Sequence, residues 1–220
     1  MTSFELGTLE LPPNCLELNS GATDPIYYYV RPVVGRIFRA RLELGLKLLA
    51  DRKQLGDVLE IGYGNGVVLY NLQPHSTSLT GIDLDADPTR MTALLGARGV
   101  TATLSRGDAR KMDYPDGSFD TVVAFSIFEH VVDFKAILAE CYRVLRPGGR
   151  LLIGMPSVNK MMEVAFFAIG FRGIADHHVT TPREVRRGIF QQQGLELVRY
   201  ETLPPLAPVK LYHCMLAERR

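Results

Sequence analysis

A chain of 220 residues with 46% hydrophobic content is long enough for one α/β domain with a full core. Its charges nearly cancel, for a formal net of +1, so the total gives no argument for a nucleic-acid partner. Cys15, Cys141 and Cys214 are too few and too scattered for a disulfide framework; with no basic-then-apolar leader pattern and no apolar run of about 18 residues, the expectation is a cytoplasmic protein.

Over residues 1–25, brief alternation in Phe4-Glu5-Leu6 and Leu9-Glu10-Leu11 breaks at Pro12-Pro13, leaving a small hairpin and an ordered arm both open. Tyr27-Tyr28-Tyr29 leads into a helix predicted over 33–50. Val34, Phe38, Leu42, Leu46 and Leu49 share one face of it, and Arg36, Arg39, Glu43 and Lys47 form the opposite stripe. That basic stripe suits a solvated face, with contact to an anionic membrane surface as the alternative.

Asp57-Val58-Leu59-Glu60-Ile61 is a short apolar run that stops at Gly62, after which Gly62, Gly64 and Gly66 alternate. The pattern predicts a buried parallel strand ending in a tight turn, with a helix opening over 67–72. Glycine there admits positive φ and removes the Cβ that would hold a ligand off the main chain. A dinucleotide fingerprint wants its third glycine at the sixth place, which is Val67, and this argues against a nicotinamide oxidoreductase. A second apolar run at 78–84 carries Asp83, 21 positions after Gly62, where an acid can accept both hydroxyls of a ribose.

With Glu60, Gly62, Gly64, Gly66 and Asp83 in this order, the sequence resembles the class I S-adenosylmethionine-dependent methyltransferases, whose first motif is Glu-x-Gly-x-Gly-x-Gly and whose second is an acid ending strand two. The resemblance implies an α/β three-layer sandwich on a mostly parallel seven-stranded sheet, the last strand antiparallel, with S-adenosyl-L-methionine as cofactor. It implies that Glu60, Gly62, Tyr63, Gly64 and Gly66 surround the methionine and ribose portions, and that Asp83, beside Leu84, takes the ribose. Tyr63 departs from the family, where smaller residues are common. In the family, the helix before the glycine motif helps cover the cofactor; the three tyrosines would then be a lid or substrate wall, or else packing at a helix start.

Pro88 opens the next predicted helix, which runs to Gly96 or Gly99, and residues 100–104 alternate as a third strand. In Ser105-Arg106-Gly107-Asp108-Ala109, the resemblance implies that Asp108 accepts the adenine amino group and that the Ala109 amide meets the ring; alone, Asp108 reads as an Asx-turn residue. A fourth strand over 121–125 ends near Ser126, which would face the methionine portion. In Ser126-Ile127-Phe128-Glu129-His130-Val131, His130 is the weak catalytic candidate, able to orient a hydroxyl or take a proton, with capping or packing as the favoured role. Asp133 reads as the N-cap of a helix striped by Phe134, Ile137, Leu138, Cys141, Val144 and Leu145. Arg146-Pro147-Gly148-Gly149, similar to the family's third motif, stops that helix and opens strand five over 150–155.

The apolar run 161–171 reads as a buried helix or a lid over an apolar substrate, or as core or a dimer face; it is too short to span a bilayer. Asp176-His177-His178 invites a metal, but adjacent histidines point apart and no third ligand stands at a helpful spacing, so no metal is expected. Thr181, Pro182 and Glu184 spell a helix start. Strands over 195–203 and 210–217 are joined by Pro204-Pro205-Leu206-Ala207-Pro208, too short for a helix, which makes them antiparallel. The whole of 1–220 is expected to be one domain: an arm or lid to 32, a cofactor core over 33–156, and a substrate-side insertion with the final strands over 157–220. The expected function is methyl transfer to a small, apolar organic acceptor, with no nucleic acid involved. A membrane-face lipid or quinone enzyme and a non-catalytic binding subunit are the alternatives.

Overall fold

The computed structural model describes residues 6–21, 24–157, 178–205 and 209–220. Seven strands form one sheet: β1 (Asp57–Ile61), β2 (Ser78–Asp83), β3 (Thr103–Arg106), β4 (Phe119–Phe125), β5 (Leu145–Pro156), β6 (Leu195–Leu203) and β7 (Tyr212–Arg219), in the order β3-β2-β1-β4-β5-β7-β6. Only β7 runs against its neighbours, β5 and β6, as the short connection between the last two strands requires. From β1 the chain steps outward through β2 to β3, then returns to β4 on the other side of β1. That reversal opens a crevice at the carboxyl ends of β1 and β4, where open α/β sheets bind ligands.

Alternation along each strand explains the three layers. Val58, Val123, Phe125, Leu152, Cys214 and Leu216 face one side and pack with helices α2 (Val34–Leu49), α3 (Val67–Leu72) and α4 (Pro88–Gly96). Leu59, Ile61, Val122, Ala124, Leu151, Ile153, Met215 and Ala217 face the other and pack with α5 (Phe134–Val144) and α6 (Pro182–Gln191). On α2, the expected stripe is buried at Phe38, Leu42, Leu46 and Leu49.

Two strand starts need correction. The third strand begins at Thr103 because Val100 is spent on ending α4: Gly99 adopts φ +79°, its N–H donates to the Gly96 carbonyl, and Val100 N–H donates to that of Leu95. This is the Schellman arrangement, in which the residue after the left-handed glycine packs back on the helix. Strand five starts at Leu145, opposite Phe119, and residues 146–149 bulge before Arg150 pairs with Thr121. Asp133 precedes α5 without a side-chain capping bond. The amino-terminal segment is an arm, with no strand among its described residues. It holds a short helix α1 (Ile26–Tyr29) in which Tyr29 is buried, Tyr28 stacks on Phe38 at 5.0 Å and Tyr27 is exposed. The Thr181 capping box, by contrast, forms in full, with Pro182 first in α6.

The arm is tied to α4 by two guanidinium groups. Arg90 donates to the carbonyls of Asn19 and Glu17 at 2.8 and 3.0 Å, and Arg98 to those of Pro13 and Asn14 at 2.7 and 3.0 Å.

On β7, His213 is buried and shares a hydrogen bond between its Nδ1 and the Tyr200 hydroxyl. Burial, then the charges of Lys210 and Arg186, pull its pKa down to about 4. The unfolded chain therefore takes up this proton first on acidification. The stabilisation is complete above pH ~6.5 and is lost as the pH falls towards ~4, up to about 3 kcal/mol. Denaturant midpoints at pH 7 and 4.5 are expected to differ less in His213→Gln than in the wild type; an equal difference would acquit this residue.

Candidate active site

The turn after β1 occupies the crevice. Gly62, Gly64 and Gly66 take φ of +74°, +42° and +69°, a left-handed path that residues with a Cβ rarely follow. A Cβ on Gly62 would lie 2.0 Å from Ile127 Cδ1, and one on Gly66 2.7 Å from Leu95 Cδ1. Over Gly64 there is room: the nearest atom to a Cβ there would be Ser20 Oγ at 3.7 Å.

Asp83, at the tip of β2, braces this turn. Its Oδ2 accepts the Gly64 N–H at 2.9 Å, and its Oδ1 accepts those of Asp85 and Ala86, also at 2.9 Å. Its carbonyl accepts the Gly107 N–H at 2.9 Å, which draws the end of β3 alongside. Leu84 stands 59% exposed beside it. Asp108 follows β3, where Arg110 grips its carboxylate with Nε and Nη2 at 2.6–3.0 Å and holds it below the usual carboxylate range. The Arg110 main-chain N–H also donates to Oδ1 at 2.9 Å, so each carboxylate oxygen already takes two donors. Ala109 is half-buried against the core.

Glu60 lies beneath the turn, buried, and its Oε2 has no hydrogen-bond partner. Burial first, then the nearby Asp83, push its carboxyl well above the ordinary value, while the Leu69 amide pulls the other way. Tyr63 turns its side chain away from the crevice. Its ring is buried in the core against Gly81 of β2, where a Cβ would come within 2.8 Å of it. The missing side chain at Gly81 is what accommodates a tyrosine where the family has smaller residues, so Tyr63 can offer the crevice only its main chain.

Two features escaped the sequence reading. Asn65 Nδ2 donates to Asp24 Oδ1 at 2.7 Å, so the arm closes against the glycine turn itself. Asp24 also accepts from Ser20 N and Oγ, both at 2.6 Å. The second feature is Glu129, quoted in the motif but passed over in favour of His130. It lies in the 3₁₀ turn Phe128–His130, 1% exposed, with Oε2 unpartnered; burial pushes its carboxyl up to about 8 against the pull of its own amide, Arg41 and Ser126. The signal available was an acid in an otherwise apolar run, Ile127-Phe128-Glu129.

Ser126 ends β4 at φ +56°, an unusual conformation for a residue with a Cβ, with its N–H on the Gly154 carbonyl at 2.7 Å and its Oγ 3.2 Å from the Tyr212 hydroxyl. The kink sends Ile127 over Gly62 and brings the Glu129 turn to the same end of the sheet. His130 is largely exposed, its Nε2 3.9 Å from Glu129 Oε1. His178 reaches the same corner, its ring centroid 5.0 Å from that of His130. The expectations for His177 and for the run 161–171 lie outside the described residues.

A profile described as a methyltransferase domain matches residues 59–153, the stretch that holds β1 to β5 and this crevice. The crystal structure of the PH0226 protein from Pyrococcus horikoshii matches with a TM-score of 0.69 at 17% identity, over 90% of this chain and 97% of that one. Residues 59–153 carry a methyltransferase domain, on a sheet of the class I methyltransferase fold. Sequence relatives of the methyltransferase domain include a protein of Mycolicibacterium smegmatis named "Probable S-adenosylmethionine-dependent methyltransferase", 34% identical over 117 residues, 53% of this chain and 44% of that one. Another is the ubiquinone biosynthesis O-methyltransferase of Pseudomonas aeruginosa, 29% identical over 114 residues, 51% of this chain and 48% of that one. The chain spans about half the length of these curated relatives.

Proposed function

We propose that this protein transfers a methyl group from S-adenosylmethionine to a small, largely apolar acceptor entering beside Ile127, with exposed Val132 and Val179 at the rim. The carrying observation is the open main chain at Gly64, held from one side by Asp83 and, among the described residues, roofed only by Ser20 of the arm. The residues fit the cofactor: an unpartnered, buried Glu60 oxygen lies under the turn, where a positively charged ligand would offset its isolation directly or through one water. In this reading Asp83 takes the ribose hydroxyls, Leu84 offers an apolar surface to the adenine, and Asp108 with the Ala109 amide meets its edge. The Gly62, Gly64 and Gly66 turn and Ser126 line the methionine portion.

Bound there, S-adenosylmethionine supplies a methyl group on a good leaving group. The chain's task is to align the acceptor and exclude water, which in comparable reactions accounts for much of the acceleration. Titration calorimetry with S-adenosylhomocysteine, followed by transfer of a labelled methyl to phenols with and without an apolar tail, tests both halves. Binding together with label in a tailed phenol is the expected result. Binding without label in any acceptor would leave a non-catalytic binder.

A membrane-face variant of the same function is favoured by one surface. Val30, Val33 and Ile37 are exposed beside the exposed Arg31 and Arg36 at the start of α2, an apolar strip with a basic border. The quinone pathway named for the Pseudomonas relative is consistent with it. Among the described residues, no helix is long and apolar enough to cross a membrane. Flotation with anionic vesicles is expected to carry the protein upward, and Val33→Asp to abolish this.

A further inference from the structure

Three side chains from two separate segments converge at the acceptor end of the sheet. Glu129 and His130 come from the turn after β4, His178 from the segment leading into α6, and one ligand atom of each lies within 4.8 Å of the others. We propose that Glu129, His130 and His178 form a binding site for a single divalent transition-metal cation. The sequence argument against a metal asked for a third ligand near the paired histidines; the fold supplies two ligands from some fifty residues away.

Burial gives the first support. Glu129 is almost wholly enclosed, and its Oε2 has no hydrogen-bond partner. Buried carboxyl oxygens are ordinarily satisfied, so an unpartnered one on a carboxyl group clustered with two imidazoles leaves a place for a further cation. A Glu129–His130 ion pair alone does not answer this, since it engages Oε1 and at 3.9 Å only loosely. The second support is that the cluster is held without help from a metal. The N–H groups of Val179 and Thr180 both donate to the Glu129 carbonyl, at 2.8 and 3.2 Å, and Thr180 Oγ1 donates to the Val131 carbonyl at 2.8 Å. These main-chain ties fix the approach of His178 to the Glu129 turn.

The donor set narrows the ion. Two imidazoles and one carboxylate suit zinc, iron, cobalt or nickel, whereas magnesium and calcium prefer oxygen donors. Three protein ligands leave coordination positions open, the pattern of sites that bind a further ligand. An oxygen or nitrogen of a small molecule is the ligand such positions would take. The existence of the site does not depend on the acceptor assignment.

The test is titration of the chelator-stripped full chain with cobalt(II), followed by calorimetry and visible absorption, and with magnesium as a control. The expected result is one cobalt per chain, with absorption bands of nitrogen-ligated cobalt and no comparable heat from magnesium. His130→Ala and His178→Ala are each expected to weaken cobalt binding by about tenfold or more. Glu129→Gln is expected to do the same, and thermal melts in chelator show that each variant is folded. No stoichiometric cobalt bands, or binding unchanged in both histidine variants, overturns the proposal. Heat from S-adenosylhomocysteine, measured on the same samples, keeps this outcome distinct from that for the cofactor site.

Discussion

Asp83→Ala is expected to weaken S-adenosylhomocysteine binding by about 100-fold, equivalent to ~2.7 kcal/mol. The carboxylate accepts three main-chain N–H groups, one from the glycine turn and two from the start of the following loop. Hydrogen bonds to a charged acceptor are worth about 1.5–3 kcal/mol each, and here they set the shape of the surface that meets the cofactor. The substitution removes both the ribose acceptor and the brace on Gly64. Asp83→Asn keeps one acceptor oxygen and is expected to fall between the two. Calorimetry decides the matter: an Ala variant that binds as tightly as the wild type would take the carboxylate out of the site.

Phe125→Ala is expected to be the most damaging single change to stability. The ring lies between α2 and β5 in a space made by two missing side chains. A Cβ on Gly45 would come within 2.5 Å of it, and one on Gly154 within 2.4 Å. Both glycines are thus explained by the ring they admit. Truncating a buried phenylalanine costs about 3–5 kcal/mol. At about 2–4 °C per kcal/mol for a domain of this size, the melting temperature should drop by roughly 6–20 °C. Because Phe125 directly precedes Ser126, cofactor affinity should fall with it. A variant melting within about 2 °C of the wild type would show that the wedge is dispensable.

The parts of this fold written in short-range pattern were legible. Runs such as Val58–Ile61 and Leu151–Ile153 read as strands because both faces are buried, and Gly62, Gly64 and Gly66 marked a turn because that residue type follows their backbone path without strain. The start of β3 was misread because Val100 is apolar for a different reason, closing a helix end. The gap that receives the Tyr63 ring lies on another strand, at Gly81, and leaves no mark beside it in the sequence. The Glu129 corner was missed for the same reason: its histidine partners were judged on spacing along the chain, whereas their meeting depends on how the segment before α6 is tied to the end of β4. Contacts of that kind have no local signature.

The grip of Arg90 and Arg98 on the arm has an evolutionary consequence. Apart from one bond from Arg98 to Glu17, these guanidinium groups hold peptide oxygens, which every residue supplies alike. These particular contacts therefore tolerate changes of residue type in the arm, whereas Ser20, Asp24 and the buried Leu9, Leu18 and Ile26 hold it through their side chains. The two arginines, far along the chain from the piece they restrain, are the positions that selection would have to keep.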